Sequence, residues 1–214
     1  MSETRIPERV RLAIANSDLQ AIRALADQYF DGDGVRKNRR VAFALFCSGA
    51  RLGDANLAWR AADAFEYGEG VQRSAAEFER YLRIAVKLGS SGATTALGEL
   101  LWRKSKSSVQ KRSAVLLYRR AARLGEPHAL HNLGVCNSTG DGARKNLRIA
   151  FEYFYSAAKL GHVEAQFKTG WCLLYGEGVP ANRTRALRWL RRAAEQGSSN
   201  ADQLLKNVSL KASK

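Results

Sequence analysis

Cysteine and histidine are scarce here: three of each in 214 residues. Cys47, Cys136 and Cys172 have no metal-ligand spacing and cannot all pair with one another, so a disulfide framework is excluded and reduced thiols in a cytoplasmic protein are expected. His128, His131 and His162 form no HExxH pair, and none stands where it would activate a cysteine, so neither a metal nor nucleophilic catalysis is expected. No run of about 18 apolar residues occurs, which excludes a membrane-spanning helix, and the N-terminus carries no apolar run of signal-peptide length. Acid is in deficit too, with 20 Asp and Glu against 35 Lys and Arg, a net charge of +15. The imbalance is concentrated late: residues 1–107 hold 17 basic and 13 acidic side chains, residues 108–214 hold 18 and 7. Such an excess favours encounter with polyanions and says nothing about fold. Hydrophobic residues at 45% and charged residues at 26% make a buried core the expectation rather than disorder.

What is present is a period. Tyr67-Gly-Glu-Gly-Val71 recurs as Tyr175-Gly-Glu-Gly-Val179, 108 residues later, which is three times 36. The same clock links Gly53, Gly89, Gly125, Gly161 and Gly197, each at the end of an apolar helical run. It also links the GxG pairs Gly32/Gly34, Gly68/Gly70, Gly140/Gly142 and Gly176/Gly178, while Lys104 and Lys106 stand in their place in the third unit. A fixed period of this size marks stacked supersecondary units.

Each unit reads as two helices, A and B, with the GxG between them. A glycine just past a helix takes the left-handed conformation that closes it, and a second lets the chain reverse. Helix B is expected to begin after Asn38, Ser74, Gln110, Asn146 or Asn182, most of them good N-caps, and Ser74 with Glu77 fits a capping box. A dinucleotide-binding loop would need a preceding strand and a third glycine, so the GxG is a turn. The prediction is an all-α fold: a right-handed α-α superhelix, or solenoid, of five 36-residue helix-turn-helix repeats with capping half-repeats. The repeats fall near 21–56, 57–92, 93–128, 129–164 and 165–200. A cap helix is expected at 7–16 and another at 201–208, giving one elongated domain over 1–208 and a short basic tail at 209–214.

Residues 165–197, AQFKTGWCLLYGEGVPANRTRALRWLRRAAEQG, closely resemble the repeat of the Sel-one-like family, a branch of the tetratricopeptide-like helical repeats. The departures are Asn or Ser at the helix B cap, Asn137 at an aromatic position, and the glycine-free third unit, whose A–B turn should be altered. The resemblance implies a non-enzymatic scaffold or adaptor, with helix A lining a concave face where partners bind.

Positions that recur in every unit are assigned to packing: Leu52, Leu88, Leu124 and Leu160, the series Phe46, Leu82, Tyr118, Phe154 and Leu190, and Trp189. Function is sought among the positions left free. On helix A these include an acidic series, Asp27, Asp63 and Glu99, and an aromatic one, Trp59 and Phe167 with Trp171 one turn on; His131 and Lys168 share the face. Local pairs, Arg23 with Asp27 and Arg60 with Asp63, would satisfy some of the acids at helical spacing, as would Glu99 with Arg103. Trp102 is expected to plug the altered third turn.

Helix B carries cations, and those at its start oppose the helix dipole: Lys37, Arg39, Arg40, Lys111, Arg112, Arg144, Lys145, Arg148, Arg183 and Arg185. Two functions follow. One is a protein or peptide partner, with a basic segment, held on helix A by Trp59, Asp27, Asp63, Glu99, His131, Phe167, Lys168 and Trp171. The other is a nucleic acid or similar polyanion on the basic starts of helix B. No cofactor is expected. The partner, the pathway and the oligomeric state are not legible in the residues.

Overall fold

The computed structural model describes residues 6–210, and every regular element among them is an α-helix. A short helix, α1 (Glu8–Ala15), precedes five helix pairs. The pairs are α2 (Leu19–Asp31) with α3 (Arg39–Arg51), α4 (Ala55–Tyr67) with α5 (Ala75–Lys87), α6 (Ser91–Lys104) with α7 (Ser108–Arg123), α8 (Pro127–Thr139) with α9 (Leu147–Lys159), and α10 (Val163–Tyr175) with α11 (Arg183–Glu195). A last helix, α12 (Ser199–Leu210), follows. The even-numbered members of the pairs are A helices and the odd-numbered are B helices. The expected basic tail lies outside the described residues from 211 onward. Two compact units are formed, one up to Leu97 and one from Gly98.

Local chemistry accounts for where helices start and stop. Asn38, Ser74, Asn146 and Asn182 each accept a hydrogen bond from the N–H three residues on, satisfying a donor that the first helical turn leaves open. The N–H of the same four residues donates back to helix A, to the carbonyls of Tyr29, Phe65, Asn137 and Leu173. At Ser74 this bond takes the N–H that a full capping box would have given to Glu77, whose carboxylate instead receives Arg80 at 3.0 Å. Only half of the expected box forms.

The GxG does more than turn the chain. The first glycine of each pair is the left-handed C-cap of helix A, at φ of 76 to 91°. The second lies against the first turn of the preceding B helix. A Cβ on Gly70 or Gly178 would fall well inside contact distance of the carbonyls of Arg39 and Leu147, and one on Gly142 would come within 3.0 Å of Lys111. Gly34 has open space at that point, and only α1 precedes its repeat. The third repeat, which lacks the GxG pair, is built differently, as its sequence predicts. α6 runs on to Lys104 and α7 starts at Ser108, so residues 105–107 connect them. Ser107, not Gln110, is the cap of α7; it accepts from the N–H of Gln110, whose side chain accepts from the N–H of Lys106. Trp102 packs against Tyr118, with the Lys111 ammonium 4.5 Å from its ring centre.

Packing pairs a small residue on helix A with a large one on helix B. Gly98, Gly134 and Gly170 lie against Tyr118, Phe154 and Leu190, close enough that a Cβ would come within 2.5–2.7 Å of them. The series Phe46, Leu82, Tyr118, Phe154 and Leu190 is buried throughout. The other recurrent series is not: Leu52, Leu88, Leu124 and Leu160 are exposed, the latter two by more than half. They are the residues just past the ends of α3, α5, α7 and α9, where the chain has left the helix and its buried stripe. Recurrence at that position does not reflect core packing.

Candidate functional site

The A helices hold their polar residues in a register of about one repeat rather than along one helix. The carboxylate of Asp27 pairs with Arg60, 33 positions on, and Glu99 accepts from the side chain of Asn132, also 33 positions on at 3.0 Å. The within-helix pairs expected for Arg23 and Arg60 do not form; Arg23 reaches Asp54, the N-cap of α4. Burial alone would raise the Asp54 carboxyl, but the N–H groups of Leu57 and Asn56 together with Arg23 outweigh it and hold the group below its usual range.

Asp63 departs from this scheme. Ala96 stands 33 positions on, so no side chain there can answer the acid. Asp63 forms no ion pair among the described residues; Trp59, four positions before it, and the charge of Arg60 are the side chains that favour its ionised form. Burial pushes its pKa up to about 6, with repulsion from Glu66 and Glu69 adding to the shift. Trp59 itself is half-buried, its ring lying directly over the backbone of Gly92. It therefore fills space between α4 and α6 and at the same time lies one helical turn from an unanswered carboxylate.

In the second unit the candidates separate into three situations. Phe167, expected as an exposed anchor, is buried with Leu190, Ala193, Ala201, Leu204 and Val208; the final helix, α12, covers it. Trp171 and Lys168 are half-buried and share a cavity of about 180 Å³ with Val135, Phe154, Cys172 and Glu177. His131 stacks on His162 at 4.7 Å between ring centres, and His128 meets His162 edge-on at the same distance. The pair 131/162 occupies the register that 23/54 occupies in the first unit, so a stack replaces an ion pair. His162 is also the N-cap of α10, accepting through Nδ1 from Ala165. Burial lowers the pKa of His131 and that of His162, the latter to about 4; Lys168 and His128 add to the shift at His131, against a hydrogen bond with Asn132, and His131 and His128 add to it at His162. The grouping was visible only as an offset of 31 between two of the three histidines. No group of three His, Cys, Asp or Glu side chains able to hold a metal ion occurs among the described residues. All three thiols are raised by burial, Cys136 and Cys172 to about 11, which leaves them poor nucleophiles.

The basic starts of the B helices are partly accounted for by packing. Arg39 pairs with Glu69 and Lys111 with Asp141, the acids between the glycines of the next repeat's turn. Arg183 donates to the carbonyl of Val208 on α12, and Arg148 reaches Glu152 on its own helix at 3.4 Å. Lys37, Arg40, Arg112, Arg144, Lys145 and Arg185 are exposed. Charge as a whole is divided by helix type: the five A helices carry 5 basic and 6 acidic residues, the five B helices 18 and 4.

The class is thus an all-helical array of paired-helix repeats, joined by glycine turns. The Sel1 repeat family matches residues 19–54, 55–90, 96–126, 127–162 and 163–198, and the chain belongs to it. Its shortest match is the third, the repeat with the altered turn. Among curated proteins none matches. Of solved structures, a Sel1 repeat protein from Oxalobacter formigenes is similar at 26% identity and a TM-score of 0.80, covering 89% of this chain and 76% of that one. A protective antigen of uropathogenic Escherichia coli with an SLR fold shares the fold at 23% identity and a TM-score of 0.78; the match covers 90% of this chain and 41% of the antigen. An immunity protein from Pseudomonas aeruginosa does so at 19% and 0.58, over 86% of this chain and 68% of that one. The fold class is therefore the Sel1 helical solenoid. Proteins of this family generally act as non-catalytic scaffolds for protein–protein interaction, and no helix among the described residues is long and apolar enough to cross a membrane.

Proposed function

We propose that this chain is a non-enzymatic adaptor in which the A helices of the first unit hold a basic segment of a protein partner at Asp63 and Trp59. The observation that carries this is the unanswered carboxylate. Asp27 has Arg60 and Glu99 has Asn132, but Asp63 has no ion-pair partner: it has Trp59 and only the field of Arg60, which pairs with Asp27, in a half-buried setting that disfavours its charge. A lysine or arginine from a partner would occupy the place that Arg60 takes beside Asp27, and the indole would lie under its aliphatic stem. Aromatic residues bury much area at small rotamer cost, which makes Trp59 the natural anchor. Trp171 and Lys168, beside their cavity in the second unit, are a second contact region. His131 is engaged in the imidazole stack, and Phe167 supports the surface from beneath. The three unpaired thiols fit a reducing, cytoplasmic setting.

The test is selection of peptides from a random displayed library on the full chain, followed by calorimetry of the best binders. Peptides enriched in Lys or Arg are expected, binding at least ~10-fold more weakly to the Asp63→Asn variant, the cost of one charge-assisted contact. Because the carboxyl titrates near 6, affinity should also rise between pH 5 and pH 7 as Asp63 loses its proton. Selected peptides without basic residues, or equal binding by Asp63→Asn, would sink the proposal.

A further inference from the structure

The cations not used by packing gather most densely on α11. Arg183, Arg185, Arg188, Arg191 and Arg192 make five of its 13 residues, Glu195 is its single acid, and all five arginines are exposed. Arg183 is tied to α12, but Arg185, Arg188, Arg191 and Arg192 form no ion pair among the described residues, not even with Glu195. These four line a surface depression of about 520 Å³ together with Tyr155 of α9 and with Trp189 and Glu195 of α11, four cations against one acid. The two rings meet edge to face at 5.8 Å, and the Arg192 guanidinium lies 5.8 Å from the Trp189 ring centre. The sequence shows Trp189 only as a residue that the repeat expects to be aromatic. Its neighbourhood is what sets it apart.

We infer that this face of α11, bordered by Tyr155, binds single-stranded nucleic acid, with phosphates on the arginines and a base against the aromatic pair. Arginine combined with aromatic surface is what unpaired strands require, since every base has a face to stack and every residue a phosphate to neutralise. From Arg185 to Arg192 the helix rises ~10 Å, room for a few phosphates. A duplex keeps its bases inside and would use only the arginines. An acidic peptide would likewise leave the rings unused. A membrane surface fits poorly, because none of the apolar residues of α11 is exposed: Ala186, Leu190 and Ala193 are buried in the core and Leu187, Trp189 and Ala194 are partly buried. This surface lies on a B helix and is independent of the A-helix reading above.

The experiment is fluorescence anisotropy of a labelled 15-nucleotide oligo-dT and its RNA counterpart with the full chain, across 50–200 mM salt. Four phosphate contacts at the single-strand slope predict a loss of affinity of about 50-fold over that range, and two contacts about 7-fold. Arg188→Gln with Arg191→Gln should therefore shift the chain from the first behaviour to the second, without touching the core. Trp189→Phe should retain binding, and Trp189→Leu should lose the preference for single strand over duplex. No binding at 50 mM salt overturns the inference. So does a salt slope unmoved by the arginine pair, which would place any binding elsewhere. Equal or tighter binding of poly-glutamate or of anionic lipid vesicles, with displacement of the oligonucleotide, overturns the choice of ligand.

Discussion

The A and B helices of this protein are nearly equal in length and alternate along the chain, yet they divide its chemistry between them. The A helices are close to charge-balanced and at Gly98, Gly134 and Gly170 offer glycines to Tyr118, Phe154 and Leu190 of the B helices, while both types supply large buried apolar residues; the B helices carry most of the excess positive charge. The contrast shows that one amphipathic period can serve two tasks. A helix packed closely by neighbours needs small residues and internally answered charges. A helix with one open face can carry unpaired cations because water solvates them there.

The sharpest way to break this division is at the contact between the two types. Leu190→Ala removes the side chain that seats on Gly170, and a loss of ~2–5 kcal/mol is expected in chemical denaturation. Next comes the turn that joins them. Gly178→Ala adds a Cβ against the Leu147 carbonyl at a φ of 74°, whereas Gly34→Ala meets only the backbone preference at a φ of 66°. The Gly34 variant should lose about 1 kcal/mol and the Gly178 variant clearly more; equal losses would show that the second glycine serves the turn alone.

The pH dependence of the two units should run in opposite directions. Asp63 has a folded pKa of about 6, above its ordinary 3.8, so the folded state keeps its proton longer. That contribution is fully present below about pH 4 and is lost as pH rises through 6; with its open side screened by solvent it amounts to about 1 kcal/mol, removed in Asp63→Asn. His162 has a folded pKa of about 4, below its ordinary 6.5, so the unfolded state takes the proton first. Stability is full above about pH 6.5 and falls as pH drops through 4, and His162→Asn, which retains an N-cap oxygen, should flatten that fall. Thermal melts of both variants from pH 4 to pH 8 check the signs. The smallest effect belongs to the open face of a B helix: Arg188→Ala should change stability by less than about 0.5 kcal/mol.

Much of the fold was legible because its signals are local. The glycine C-caps, four of the five helix B caps and the lost turn of the third repeat all depend on residues within about ten positions of one another. The site was less legible. Asp27 and Asp63 stand at equivalent positions, and only the side chain 33 positions on, arginine in one case and alanine in the other, decides which is answered. Phe167 and Trp59 share a phase, but α12 covers one of them. The recurrent leucines after the B helices looked like core and are exposed, since recurrence reports a position in the repeat and not its surroundings. The amino-acid sequence by itself determined the period, the helix pairs and the turns, because backbone propensity and capping act over a few residues. Tertiary structure decided which charges are answered, which aromatics are covered and which arginines are left to solvent. Those outcomes depend on the rotation of each helix against its neighbours, and that is set by packing between residues some 30 positions apart.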